Sequence, residues 1–253
     1  MDLRLKDKVA LVTGGSHGLG KAICLSLAAE GAKVAVNFRR HPEKAGAVVE
    51  EIADRFAVEA FAVLGDVSSE ADVTEMFRQT ESQLGPLDVL LNNAAVCPTC
   101  RVKDMTQQQW SHTVRVNLTG TFLTCREMVR RLLQSGRTGR IVNISSQAAF
   151  RGSTTGHAPY DASKGGIVSF TVALAREVAA EGIAVNAVAP GMMRTEMTAE
   201  TLAANERKYL DRIPLRRIGT VEEIADVAAF LASERASYMT GATVDVSGGM
   251  LMR

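Results

Sequence analysis

Seven short, nearly continuous apolar runs alternate with longer amphipathic stretches, and this alternation constrains the fold of the 253-residue chain more than any single motif. The runs lie at residues 9–13, 34–38, 60–64, 89–91, 141–144, 184–188 and 243–246. Their brevity and lack of polar alternation fit strands buried on both faces. Stretches with helical spacing fill the gaps at 18–30, 42–56, 69–84, 106–133, 159–181 and 221–232. Ser69 is suited to cap one of these helices, and Gly31, Gly85 and Gly182 to stop three of them. Such a strand and helix alternation predicts an α/β fold, a doubly wound parallel sheet of about seven strands with helices on both faces. One domain of this kind accommodates residues 1–253 without a linker.

Charge narrows the classes of partner. With 29 Lys and Arg against 28 Asp and Glu, the net charge is +1, which leaves no basic stripe for nucleic acid. No apolar run reaches the length of a membrane span, and Asp2, Arg4, Lys6 and Asp7 stand where a secretory leader needs an apolar core. The expectation is a cytoplasmic protein with no membrane partner. Cys24, Cys97, Cys100 and Cys125 then read as free thiols. Cys97 and Cys100 have the spacing of a redox pair but lack a second pair for zinc, so no metal is expected.

The first run leads into Thr13-Gly14-Gly15-Ser16-His17-Gly18-Leu19-Gly20 and then a helix. Glycines there permit a tight turn and close backbone approach to a pyrophosphate, while the helix N-terminus offers N–H donors and the positive end of its dipole. A purely structural turn is the other reading, but the position after the first strand favours dinucleotide binding. The second strand ends in Asn37-Phe38-Arg39-Arg40, where this fold meets the adenosine ribose. An acid would bind the 2′-hydroxyl, whereas Arg39 suits a 2′-phosphate, so NADP(H) is favoured and NAD(H) remains open. Arg39 and Arg40 as solvated surface charges is the alternative.

Tyr160 is followed four residues later by Lys164, and the pair Ser145-Ser146 ends an apolar run upstream. Residues four apart share a helix face, so an ammonium would lie beside a phenol of ordinary pKa about 10 and lower it toward the working pH. Ser146 could hold the same oxygen. That arrangement exchanges a proton with an alcohol or carbonyl.

Thr13-Gly14-x-x-x-Gly18-x-Gly20, Asp66-Val67, Asn92-Asn93-Ala94, Asn117, Ser146, Tyr160-x-x-x-Lys164 and Pro190-Gly191-x-x-x-Thr195 follow one another in an order that resembles the short-chain dehydrogenases/reductases from end to end. The resemblance implies a single-domain Rossmann fold and a role for each position. Gly14, Ser16, Gly18 and Gly20, with His17 and Leu19 between them, shape the pyrophosphate turn. Asn37, Phe38 and Arg39 border the adenosine ribose. Asp66 and Val67 meet the adenine, and Asn93, Ala94 and Ala95 line the ribose side. Thr195, after Pro190 and Gly191, meets the nicotinamide carboxamide. Tyr160 exchanges the proton, and Lys164 binds the nicotinamide ribose and lowers the tyrosine pKa. Ser146 orients the carbonyl, with Ser145 the runner-up, and Asn117 supports a water-mediated proton relay. Ala95 departs from the family's usual glycine, and His17 from a common arginine.

Within the family, Pro214-Leu-Arg-Arg-Ile-Gly219 and the tail from Thr240 to Met252 resemble the β-ketoacyl-[acyl-carrier-protein] reductases. The expected activity is NADPH-dependent reduction of a 3-oxoacyl thioester. The nearest rival is a relative acting on a small ketone, sugar, steroid or secondary alcohol, possibly with NAD. A non-enzymatic NAD(P)-binding scaffold is the third reading, against which the complete set of Asn117, Ser146, Tyr160 and Lys164 speaks. Residues 147–159 and 192–212 are expected to frame the substrate, with Phe150, His157, Met192 and Met193 as candidate contacts. Arg130, Arg131 and Arg137 could meet an acidic carrier protein, with solvated helix arginines as the alternative. The resemblance also implies a homotetramer, for which the apolar end 246–252 would suit burial against a partner, or against the chain itself in a monomer.

Overall fold

The structure, a computed structural model, describes residues 2–252. Its seven strands are β1 (Val9–Val12), β2 (Lys33–Phe38), β3 (Ala60–Leu64), β4 (Val89–Asn92), β5 (Gly139–Ile144), β6 (Ile183–Pro190) and β7 (Thr243–Val246). They form one sheet in the order β3-β2-β1-β4-β5-β6-β7. Every pairing is parallel, with Leu11 of β1 opposite Ala35 of β2 and Leu90 of β4. The order reverses between β1 and β4, and a crevice opens there beyond the carboxyl ends of the strands.

The helices cover both faces. On one side α1 (Gly18–Ala29), α2 (Pro42–Phe56) and α9 (Val221–Ala232) bury Ile23, Leu27, Ile52, Ala228 and Leu231 against Ala10 and Val12. On the other, α3 (Glu70–Leu84), α5 (Gly120–Ser135) and α7 (Ala158–Val178) bury Phe77, Met128, Leu132, Leu174 and Val178 against Val9 and Leu11. Successive β1 side chains thus serve opposite layers, which is why the run carries no polar alternation. Each fully buried Leu or Phe contributes roughly 1.5–3 kcal/mol over its exposed state. Ser69 caps α3 by accepting from the Asp72 amide at 3.3 Å. Gly31, Gly85 and Gly182 sit at positive φ after α1, α3 and the turn that follows α7.

Two segments differ from the sequence expectation. The stretch read as one helix over 106–133 is α4 (Gln107–Val114), a π turn (Arg115–Thr119) and α5. The widened turn carries Asn117, and such single π turns disturb the regular i to i−4 ladder that periodicity assumes. Between β6 and α9 lies α8 (Ala199–Leu210), and a short α6 (Ala148–Arg151) precedes α7. The apolar tail turns inward. Met250 joins Leu202, Ile213 and Ile218 in a small core of the same chain, while Met252 stays exposed.

A buried polar chain fixes α7 and α5 against the strand ends. Thr124 Oγ1 donates to Asn92 Oδ1 at 2.7 Å, Asn92 Nδ2 to Asn143 Oδ1 at 2.9 Å, and Asn143 Nδ2 to Thr171 Oγ1 at 2.9 Å. Buried amides paired this way hold one helix register, since any slip would strand them.

Candidate active site

The glycine turn is locked from three directions. Thr13 Oγ1 accepts from the Asn93 and Ala94 amides at 2.9 and 3.1 Å. Asn93 Nδ2 donates to Thr13 O and Gly14 O, each at 3.1 Å. Asn37, 2% exposed, accepts from the Gly14 amide at 3.1 Å and donates to Val63 O and Gly65 O at 3.3 and 3.1 Å. Its side chain therefore builds the turn across β2 and β3. A Cβ on Gly20 would stand 2.1 Å from Gly14 O, and one on Gly14, at φ +62°, would meet Ala94 Cα at 3.0 Å. The turn thus hugs the start of α1 and leaves a bare backbone cradle, which fits the pyrophosphate of a dinucleotide.

At the end of β2, the Arg39 guanidinium lies 3.2 Å from Asp66 Oδ2. The other carboxylate oxygen accepts from the Ser68 amide and hydroxyl at 2.9 and 2.7 Å. Burial alone would raise the Asp66 pKa, but the Ser68 donors and Arg39 outweigh it and hold the carboxyl below its ordinary value. Val67 is buried beside Gly120, where a Cβ would meet Val67 Cγ2 at 2.8 Å. Thr195 accepts from the Thr198 amide at 3.3 Å and caps the turn that leads into α8.

Tyr160 and Lys164 share one face of α7 as the spacing predicts, with Lys164 Nζ 5.6 Å from the centre of the Tyr160 ring. The ammonium, on a side chain in a residue 3% exposed, donates to Ile144 O at 2.6 Å. Burial pushes Lys164 down to about 8, against the Cys97 thiol, which acts the other way. Tyr160 corrects the sequence expectation. Burial raises the phenol above its ordinary value and Cys97 and Asp161 add to that, while only a hydrogen bond with Ser146 opposes it. Lys164 faces the ring and adds nothing that offsets the burial, and its Nζ gives one of three N–H groups to the β5 carbonyl. Ser145 is turned away, donating to Lys164 O at 3.0 Å.

Asn117 is fully buried and lies behind the site. Its Oδ1 accepts from the Val96 amide at 2.8 Å, and its Nδ2 donates to Val96 O and Ser163 Oγ at 3.0 and 3.1 Å. Ser163 in turn donates to Tyr160 O at 2.7 Å, so Asn117 ties the loop after β4 to the turn of α7 that carries Tyr160.

These groups border one cavity of about 1000 Å³. Gly14, Ser16, His17, Gly18, Leu19, Gly20, Asn37, Phe38, Arg39, Asp66, Val67, Asn93, Ala94, Ala95, Ser146, Tyr160, Lys164, Pro190, Gly191 and Thr195 all line it; Asn117 does not. His157, Met192 and Met193 reach its wall and Phe150 does not. Thr154 and Thr155 from residues 147–159, and Asn205, Lys208, Tyr209 and Arg212 from residues 192–212, also line it, in keeping with the expectation that those segments frame the substrate; Cys97 lines it without a sequence signal that marks it for the site. The four cysteines are free thiols, with Cys97 Sγ 3.6 Å from His157 Nδ1. Arg131 pairs with Glu81 and Glu127, and Arg137 with Asp88. Among the described residues no cluster of His, Cys, Asp or Glu could hold a metal ion, and no helix is long and apolar enough to cross a membrane.

A family model described as enoyl-(acyl carrier protein) reductase matches residues 14–251. The 3-oxoacyl-[acyl-carrier-protein] reductase FabG of Aquifex aeolicus is 41% identical over 250 residues, covering 99% of this chain and 100% of that protein. A 3-oxoacyl-[acyl-carrier-protein] reductase of Synechocystis is 43% identical over 249 residues, 98% of each chain. A short-chain type dehydrogenase/reductase from Mycobacterium marinum superposes with a TM-score of 0.94 at 34% identity, over 100% of this chain and 98% of that one. A structure from Agrobacterium tumefaciens with bound NADP, provisionally named a 2-deoxy-D-gluconate 3-dehydrogenase, gives a TM-score of 0.90 at 36% identity, over 100% and 99%.

Proposed function

The chain belongs to the short-chain dehydrogenase/reductase family and is an oxidoreductase acting on CH–OH and C=O groups with a nicotinamide cofactor; from that premise we propose that it is an NADPH-dependent reductase of 3-oxoacyl thioesters. The observation that carries the reading is the meeting of Ser146 and the protonated Tyr160 phenol at one end of a cavity whose other end is the glycine cradle. Two O–H donors converging on one point suit a carbonyl oxygen. The full-length relatives named 3-oxoacyl-[acyl-carrier-protein] reductases favour the ketone over the enoyl step named by the family model.

When bound, the nicotinamide supplies the hydride. Gly14, Gly18 and Gly20 would hold the pyrophosphate, Asp66 and Val67 the adenine, and Thr195 the carboxamide end. Arg39 would meet a 2′-phosphate, the choice for NADPH, and the NADP-bound relative is consistent with it. Ser146 would donate to the ketone oxygen and orient it. Tyr160, held protonated by burial, would donate to the same oxygen and release its proton there as the alcohol forms. Such preorganised donors are worth a few kcal/mol each in the transition state. Lys164, near neutral pH still cationic, would hold the nicotinamide ribose with the N–H groups that the Ile144 carbonyl leaves free. A resting acid form suits the reductive direction, because oxidation of an alcohol needs the phenolate first.

The setting proposed is cytoplasmic, the carrier an acyl carrier protein, and the assembly a homotetramer. Phe122, Leu133 and Val172 on α5 and α7 are exposed apolar groups that support a helix-to-helix interface. The test is the initial rate of NADPH oxidation with an acetoacetyl thioester beside the same assay with NADH. Turnover with NADPH well above NADH is expected. No turnover with either, in protein that binds cofactor, would move the substrate to another class of ketone.

A further inference from the structure

The substrate end of the cavity is built by α8, whose geometry is unusual. At Asn205 the helix breaks, with φ −140° and ψ 17°, and beyond the break Lys208, Tyr209 and Arg212 face the cavity together with Asn205. Lys208 and Tyr209 lie in the last turn of the helix and Arg212 in the turn just past its end. The opposite side of the same segment carries Leu202, Leu210 and Ile213 into the small core with Met250. The apolar face is thus anchored, and the cationic face is presented to the cavity.

Several of the charges nearby are already matched. Arg194 pairs with Glu206, Arg216 with Asp211, Arg217 with Glu223 and Lys44 with Glu196. Lys208 and Arg212 make no ion pair with any described carboxylate, and both are exposed at the cavity mouth. The segment 192–218 holds six Lys and Arg against four Asp and Glu in a chain whose net charge is only +1. Two unmatched cations on one wall of a cavity concentrate an anion there.

We propose that Lys208 and Arg212 recognise an anionic group of the substrate, remote from the reacting carbonyl. The inference rests on the carbonyl reductase reading above. Phosphate and carboxylate oxygens offer the same chemistry to an ammonium and a guanidinium. A phosphate would belong to the pantetheine-type handle of a thioester, and a carboxylate to an oxo acid.

The experiment compares acetoacetyl-CoA with the neutral acetoacetyl thioester of N-acetylcysteamine and with a sugar-derived oxo acid, in wild type, Lys208→Met/Arg212→Met and Arg207→Met. Arg207 is an exposed cation of α8 that does not line the cavity, and it reports any general effect of surface charge. The double variant is expected to raise the KM of an anionic substrate about tenfold more than that of the neutral thioester, as charge-assisted hydrogen bonds allow. Arg207→Met should leave the ratio alone. Dependence confined to acetoacetyl-CoA assigns the anion to the handle; dependence confined to the oxo acid assigns it to a carboxylate. Equal KM changes for charged and neutral substrates overturn the proposal. If no ketone is turned over, the reductase reading falls, and calorimetric titration of CoA and of the oxo acid into protein saturated with NADP⁺ decides the site. Binding of either that weakens about tenfold in the double variant sustains it, and equal or absent binding of both in wild type and variant overturns it.

Discussion

Gly20→Ala tests whether the glycine turn is a cradle by necessity. The added Cβ would lie 2.1 Å from Gly14 O, 2.9 Å from Gly14 C and 2.7 Å from Asn93 Nδ2. Non-bonded carbon contacts settle near 3.5–4.0 Å, so backbone on one side or the other must move by about 1 Å. Overpacking of this kind costs roughly 1–3 kcal/mol. Asn93 Nδ2 also bonds Thr13 O and Gly14 O at 3.1 Å each, and each neutral hydrogen bond lost adds about 1 kcal/mol. Together the expected loss of stability is about 2–4 kcal/mol, read as a lower urea midpoint. The displaced turn should also weaken NADPH binding at least tenfold in a fluorescence titration. A variant with the wild-type midpoint and a Kd within about twofold of wild type would refute the reasoning.

Lys164 carries a pH signature. Its folded pKa of about 8 lies below the unfolded value near 10.4, so between those limits only the unfolded chain keeps the proton. Stability then rises with pH at up to about 1.4 kcal/mol per unit, an upper limit of about 3 kcal/mol across the window. Cys97, pushed up to about 11, drains stability over part of the same range in any variant that keeps it, so the readable quantity is wild type minus Lys164→Met. That difference in urea unfolding free energy should grow in favour of wild type from pH 8 to 10, and a flat curve would count against the buried ammonium. Gly46→Ala places a Cβ where nothing lies within 4 Å, inside α2, and should stabilise by about 0.5–1 kcal/mol in the same assay. Arg39→Ala should narrow the preference for NADPH over NADH about tenfold in paired Kd measurements, and an unchanged ratio would remove Arg39 from that role.

The fold was legible because its central strands are buried on both sides. Residues 60–64 and 243–246 matched their strands to the residue, and 221–232 matched α9, since each lies between clear breaks. Helix α8 was not legible. Its polar sequence shows little apolar periodicity, and Leu202 finds Ile213, Ile218 and Met250 only through the fold. The π turn at Asn117 escaped for a related reason, because helical spacing continues smoothly through 106–133. In the site, the Tyr160 and Lys164 pairing follows from spacing alone. The direction of the Tyr160 shift does not, because burial and the neighbouring Cys97 come from elements far apart in sequence. Asn37 stood beside the candidate ribose residues in sequence. Its use in bracing the turn depends on Gly14 and Gly65, which parallel pairing brings to it.

The role of Tyr160 as the proton donor is tested most directly by Tyr160→Phe, which removes one hydroxyl and keeps the ring beneath which Lys164 lies. Single-turnover oxidation of bound NADPH by an acetoacetyl thioester should slow by about 10²–10⁴, the range for loss of a general acid, while the Kd for NADPH stays within about twofold of wild type. A variant that oxidises NADPH within tenfold of the wild-type rate would contradict the assignment.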